Sequence, residues 1–84
     1  MAGDLRVKIF SPEKLIWEGT AQSVSSVNSE GPFDILSFHT NFITIIENQP
    51  IRVHDGSGVK EYRFKASVIY AHSNDVRIYT TMDK

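Results

Sequence analysis

The sequence has no cysteine, no long hydrophobic run and a formal net charge of only −1. Without cysteine there are no disulfide bonds, thiolate metal ligands or cysteine nucleophiles. The near-zero net charge gives no electrostatic attraction for phosphate backbones or anionic lipid, both of which are bound chiefly through clustered Lys and Arg. No run approaches the roughly 18 apolar residues that span a bilayer, and the first residues lack the layout of a secretion signal. We therefore expect no nucleic-acid partner and no direct membrane insertion.

The residues that are present describe an ordinary small globular domain. The chain has 84 residues, of which 40% are hydrophobic and 23% charged. A chain of this size buries only about 60 to 65% of its unfolded surface, so it has no material for a second core. No repeat, low-complexity tract or linker divides it. The sequence predicts a single domain over residues 1–84.

The dominant period of the hydrophobic pattern is two. Apolar residues alternate with charged or polar ones over residues 5–9, 51–54, 62–66 and 76–78. This pattern predicts half-buried strands, since successive side chains of a strand point to opposite faces. Shorter apolar runs predict strands that could be covered on both sides; they are residues 15–17, 42–46 and 68–70.

Turn signals separate these strands at close intervals. They contain Pro, Gly, Asn, Asp or Ser and fall at residues 11–12, 18–19, 28–32, 48–50, 55–58 and 73–75. Many short strands between such turns are typical of an all-β sandwich or barrel. The segment from Phe38 to Ile46 also fits helical spacing, but its β-branched residues favour a strand.

The sequence offers no convincing catalytic or metal site. His39, His54 and His72 are spaced far wider than the local ligand pairs of zinc sites. No Gly-x-Ser-x-Gly nucleophile elbow occurs, and the acidic residues are scattered. The segment Asp55-Gly56-Ser57-Gly58 looks like a phosphate loop, but it leads into an alternating strand over residues 60–65 and not into a helix. We interpret it as a hairpin turn.

Aromatic side chains could stack on single-stranded bases if they lay together on an exposed sheet. Most of them alternate with charges, which assigns them to the core, and no basic groove surrounds them. The set considered is Trp17, Phe33, Phe38, Phe42, Tyr62, Phe64, Tyr70 and Tyr79.

One constellation of motifs carries a family resemblance. An opening strand is followed by Ser11-Pro12-Glu13 and Trp17-Glu18-Gly19. The segment Glu30-Gly31-Pro32-Phe33-Asp34-Ile35-Leu36 comes next, and His39 and the apolar run 42–46 follow it. In this order and spacing the chain resembles the amino-terminal domain of the epsilon subunit of rotary ATP synthase, over about residues 5–80. Several family positions differ here. Phe38 replaces a Gly, Thr40-Asn41 an Ala-Pro pair, residues 48–50 a Pro-Gly turn and residues 66–67 a Gly-Gly pair.

The resemblance implies an antiparallel β-sandwich of about ten short strands and a non-catalytic coupling role without a cofactor. The implied partners are the gamma subunit and the ring of c subunits, at the cytoplasmic face of the bacterial inner membrane. Phe38 and Phe42 are also candidate core residues, and for Phe42 the core is favoured over the interface. The positions that the resemblance assigns to partner contacts are Ser11, Glu30, Gly31, Pro32, Phe38, His39, Thr40, Asn41 and Phe42.

Complete epsilon subunits typically add a carboxy-terminal helical hairpin that regulates ATP hydrolysis and in some members binds ATP. This sequence stops at Lys84, where the hairpin would begin. The resemblance therefore implies a naturally short member or a truncated piece, and neither inhibition nor nucleotide binding is assigned to these residues. The alternative is a stand-alone β-sandwich interaction module of another complex.

Overall fold

The fold is that of a computed structural model, which describes residues 4–37 and 41–81. These residues form nine short strands in two sheets. The strands are β1 Leu5–Phe10, β2 Leu15–Ala21, β3 Ser23–Asn28, β4 Gly31–Leu36, β5 Phe42–Glu47, β6 Pro50–His54, β7 Val59–Arg63, β8 Ala66–His72 and β9 Asp75–Thr80. The predicted β-sandwich is confirmed.

The two sheets differ in size and share one core. The five-stranded sheet has the order β2-β1-β9-β8-β5, and the four-stranded sheet has the order β4-β3-β6-β7. Alternate residues of the strands point inward, as the period of two requires. The buried apolar side chains are Leu5, Val7, Ile9, Ala21, Val24, Ile35, Ile46, Ile51, Val53, Phe64, Ile69, Ala71, Val76 and Ile78.

One strand pair departs from the antiparallel expectation. The last strand, β9, lies beside the first, β1, and the two run parallel, with Val7 opposite Val76 and Ile9 opposite Ile78. Parallel neighbours need a long connection, and here the rest of the sandwich lies between the two strands in sequence. An alternating pattern identifies a strand but says nothing of the direction of its neighbour, so the sequence could not predict this pair.

The alternating stretch over residues 62–66 is not one strand, and the expected strand over residues 60–65 ends early. β7 ends at Arg63, and β8 begins at Ala66 in the other sheet. Between them Phe64 is buried, and the Lys65 carbonyl accepts a hydrogen bond from the Asn48 amide at 3.0 Å. The alternation continues through the crossing because Tyr62 and Phe64 both pack on the core, with ring centroids 6.2 Å apart.

The predicted hairpin at residues 55–58 is confirmed. β6 and β7 pair antiparallel, and the Asp55 amide donates to the Gly58 carbonyl at 3.1 Å. The Asp55 carboxylate accepts hydrogen bonds from both the amide and the hydroxyl of Ser57. These bonds, chiefly the hydroxyl bond, hold the pKa of Asp55 below its ordinary value. The Gly-rich loop is therefore closed on its own backbone.

The strand expected within residues 38–46 is confirmed as β5 over Phe42–Glu47. Within the described ranges the structure contains no helix that is long and apolar enough to cross a membrane.

Candidate functional site

The outer face of the five-stranded sheet carries an apolar row that crosses all five strands. In strand order its members are Leu15, Phe10, Tyr79, Val68 and Ile45, and each is the register partner of the next. With about 4.8 Å between strands, the row is about 19 Å long. We call these five residues the apolar row.

Much of the apolar row is open to solvent. Leu15 is 44% exposed, Tyr79 45% and Ile45 61%, while Phe10 and Val68 are half-buried. The Phe10 and Tyr79 rings stack in the middle of the row, with centroids 5.3 Å apart and planes at 13°. Scattered surface hydrophobics are normal, but contiguous apolar patches mark interaction sites.

A second row runs beside the first and is apolar at one end and charged at the other. It pairs Ile43 with Tyr70, Tyr70 with Arg77, Arg77 with Lys8, and Lys8 with Glu18. Ile43 is 66% exposed and Tyr70 41%. The Tyr70 ring lies parallel to the His72 ring at 6.3 Å. The open apolar surface therefore widens toward β5 and becomes charged toward β2.

These positions correct two expectations. The runs at residues 15–17, 42–46 and 68–70 are not covered on both sides, because Leu15, Ile43, Ile45 and Tyr70 lie exposed. Tyr70 and Tyr79 also lie outside the core. Alternation explains both positions. Val76 and Ile78 of β9 point inward, so Tyr79 points outward, and the neighbours of Tyr70 in β8 are buried, so Tyr70 points outward. The remaining described aromatics of the set that we considered pack on or in the core; they are Trp17, Phe33, Phe42, Tyr62 and Phe64.

The outer face of the four-stranded sheet has the opposite chemistry. Asp34, Ser25, Arg52 and Glu61 form a register row across its four strands. The Ser25 hydroxyl donates to Asp34 at 2.5 Å, and Arg52 Nε donates to Glu61 at 3.1 Å. The side chains of this polar row hydrogen-bond to one another, and the row is a hydrophilic surface. The two outer faces of the sandwich are therefore unlike: among residues 4–37 and 41–81, a continuous apolar row crosses the larger sheet and a polar row crosses the smaller one.

The polar row places a serine, a histidine and an aspartate close together, but not as a catalytic triad. His54 Nε2 lies 3.4 Å from the Ser25 hydroxyl, which itself donates to Asp34. A hydrolytic triad needs the histidine between the other two, so that it can take the serine proton. Here the serine is in the middle and its proton is directed at the carboxylate. Among residues 4–37 and 41–81, no group of three or more His, Asp and Glu residues could hold a metal ion.

The partner positions implied by the resemblance fall in two places. Ser11 follows β1, and its hydroxyl accepts the amides of Glu13 and Lys14 at 3.3 and 3.2 Å. Phe42 is the first residue of β5, and Asn41 precedes it. Both lie at the opposite end of the sheet from Ser11, because β1 and β5 run in the same direction and Ser11 follows the end of β1. The structure therefore does not bring Ser11 to Asn41 or Phe42.

The turn between β3 and β4 does lie beside β5. Asn28 donates through Nδ2 to the Thr44 hydroxyl at 3.0 Å and accepts the Glu30 amide at 2.8 Å. Glu30 and Pro32 are exposed, and Gly31 has a φ of +119°, which side-chain-bearing residues rarely adopt. Phe42 is half-buried against Phe33, with ring centroids 5.4 Å apart. Phe38, His39 and Thr40 lie outside the described residues.

Comparison with known proteins gives the same fold and one family. Residues 4–81 match the family model for the ATP synthase Delta/Epsilon chain, beta-sandwich domain. The chain is 33% identical over 58 residues to the ATP synthase epsilon chain of Desulfatibacillum aliphaticivorans, which covers 69% of this chain and 41% of that one. It is 29% identical over 79 residues to the epsilon chain of Leptospira borgpetersenii serovar Hardjo-bovis, covering 94% and 62%. The chain thus spans about half the length of these relatives.

A solved structure agrees in fold. A chain of the Tetrahymena thermophila mitochondrial ATP synthase central stalk and c-ring superposes with a TM-score of 0.76 at 13% identity, over 92% of this chain and 63% of that one.

Proposed function

The chain belongs to the ATP synthase Delta/Epsilon family as its beta-sandwich domain, and from that premise we propose that it is a non-catalytic, epsilon-like subunit of the central stalk. In this role it binds the gamma subunit and contacts the c-subunit ring. It thereby helps to couple rotation, driven by proton flow, to ATP synthesis. It belongs to a complex held at the cytoplasmic face of the bacterial inner membrane, without inserting into the bilayer itself.

The observation that carries the proposal is the exposed apolar row on one face of the sandwich. A small domain that leaves Leu15, Tyr79 and Ile45 in water has a use for that surface. Interfaces bury an apolar centre inside a polar rim, and tyrosine is enriched in such centres. The second row beside the apolar row would supply the polar part of this interface.

The fold suits a part that transmits torque. Each sheet of the sandwich is cross-linked by backbone hydrogen bonds, and the two inner faces meet in one buried core. Close-packed interiors have low compressibility and transmit strain. A domain of this kind moves with its partner as a unit.

A second contact region is proposed at the segment from Glu30 to Phe42, with Ser11 as a separate contact. Glu30 and Pro32 are exposed and contribute little buried surface to the fold. Substituting Glu30, Pro32 and His39 together is expected to leave the thermal midpoint nearly unchanged and to weaken association with gamma and the ring. A collapse of stability would show that the segment serves folding and not docking.

Co-expression with the gamma subunit of the same organism tests the proposal. Size-exclusion chromatography with light scattering should show a one-to-one complex. Ile45→Asp, which places a charge in the apolar row, should abolish the complex. Val59→Asp serves as the control because Val59 is 55% exposed on the other sheet, outside both proposed contact regions. A folded chain that never binds gamma would refute the proposal.

A further inference from the structure

Two cations lie side by side in the middle of the open face. Arg77 of β9 and Lys8 of β1 are register partners on adjacent parallel strands, and both point away from the core. Like charges directly opposite each other on neighbouring strands destabilise a sheet. The second row therefore contains an arrangement that folding alone does not favour.

The fold provides little compensation for this pair. Lys8 Nζ is 4.0 Å from Glu18, in an exposed ion pair of the kind that contributes almost nothing to stability. The ion pairs among residues 4–37 and 41–81 are this one, Arg52 with Glu61, and Lys60 with Asp55, so none includes Arg77. Arg77 is exposed beside Tyr70, and the next outward residue of its strand is Tyr79 of the apolar row. A guanidinium there presents several donors to whatever covers the face.

From this juxtaposition we infer that the partner surface carries a carboxylate that binds between Arg77 and Lys8 while its apolar residues cover the apolar row. Arg77 then selects the partner by charge, and the row supplies the buried contact. This inference rests on the proposed function and names the chemistry of the gamma surface that this chain recognises. A carboxylate between two cations removes their repulsion, so that docking relieves a cost present in the free domain.

The test uses the complex with the gamma subunit and the substitution Arg77→Met. Methionine keeps an apolar stem of similar length, so that the variant removes the charge and retains most of the packing. Removing one member of a buried charge pair should weaken binding roughly 30-fold or more, mainly through faster dissociation. Affinity measured by biolayer interferometry should also depend less on salt in the variant, because one screened attraction is lost.

Arg52→Met is the matched control. Arg52 occupies an outward position in the middle of a strand of the other sheet and pairs with Glu61. Its loss should change affinity by less than about threefold, as expected for a residue outside the interface. The thermal midpoint of the free Arg77→Met domain should stay level or rise, because the variant relieves repulsion with Lys8.

The outcomes separate this inference from the proposed function. Binding by wild type that Arg77→Met weakens no more than Arg52→Met would overturn the inference and leave the stalk proposal standing. A fall in the thermal midpoint of Arg77→Met would also overturn it, since Arg77 would then serve the fold. Absence of a complex for the folded wild-type chain would overturn both.

Discussion

Two isoleucines on neighbouring strands should respond very differently to truncation. Ile69 of β8 is 0% exposed and Ile45 of β5 is 61% exposed. Both belong to the same antiparallel pair, where Ile69 lies opposite Thr44 and Ile45 opposite Val68. The change of Ile to Ala is the same chemically at both sites. Any difference between the variants therefore reports burial.

The magnitudes follow from that difference. Ile69→Ala removes buried methylene groups and leaves a cavity in the core, which costs about 2 to 5 kcal/mol. A domain of 84 residues has a total stability of about 4 to 13 kcal/mol. A loss of about 3 kcal/mol would lower the melting temperature by about 12 to 24 °C. Ile45→Ala gives up contact over less than half of its side chain and should cost about 1 kcal/mol or less.

Urea denaturation followed by Trp17 fluorescence measures both free energies of unfolding, because the indole packs against the core. The slopes of the unfolding curves should match wild type, which shows that the unfolded states are comparable. Equal losses for the two variants would refute the assignment of Ile45 to an open face. In the complex with gamma the order should invert, and Ile45→Ala should weaken binding at temperatures where both variants are folded.

Four further substitutions test the core and the hairpin. The Ser67 hydroxyl is buried without a hydrogen-bond partner within the described part of the chain, so Ser67→Ala should raise the free energy of unfolding by about 1 kcal/mol. Ser26→Ala breaks a 2.8 Å hydrogen bond to the buried Pro50 carbonyl and should lower the free energy of unfolding by about 1 kcal/mol. Chemical denaturation should therefore show changes of opposite sign for the two variants. Gly19→Ala would place a Cβ 2.6 Å from the Trp17 ring, so it should lower the free energy of unfolding by about 1 to 3 kcal/mol and shift the tryptophan emission. An unchanged spectrum and stability would contradict this close contact. The pKa of Asp55 is lowered in the folded state, so its contribution to stability is present above the ordinary pKa of 3.8 and is lost as pH falls through the folded-state pKa. The difference in free energy of unfolding between wild type and Asp55→Asn should close over that pH range. A difference that does not change with pH would contradict this.

The hydrophobic pattern predicts a half-buried strand well where its residues alternate, but it did not predict β3 Ser23–Asn28 or β4 Gly31–Leu36. β1 and β9 follow the pattern residue by residue, with buried Leu5, Val7 and Ile9 in one and Val76 and Ile78 in the other. Which strands lie next to each other, and in which direction, is harder to predict from the sequence. The parallel contact between these strands and the crossing at Phe64 depend on where distant segments return, and no local pattern contains that information.

The candidate site was harder to predict than the fold. The apolar row uses one residue from each of five strands, and Phe10 is separated from Tyr79 by most of the chain. Its members become neighbours only when the strand order is known. The outward position of Tyr79 could have been found, since it follows from the inward position of Ile78. The contacts implied by the family resemblance are local in sequence, which is why a motif could suggest them. Those from Glu30 to Phe42 remain predictions, and so does the contact of Ser11.

Covalent footprinting with hydroxyl radicals tests most directly whether the outer face of the five-stranded sheet is the docking surface. Tyr70 and Tyr79 report on that face, and Val59, 55% exposed, reports on the other sheet. When the gamma subunit is added at saturating concentration, oxidation of both tyrosines should fall several-fold while oxidation of Val59 is unchanged. Protection of Val59 with both tyrosines still fully reactive would contradict the account.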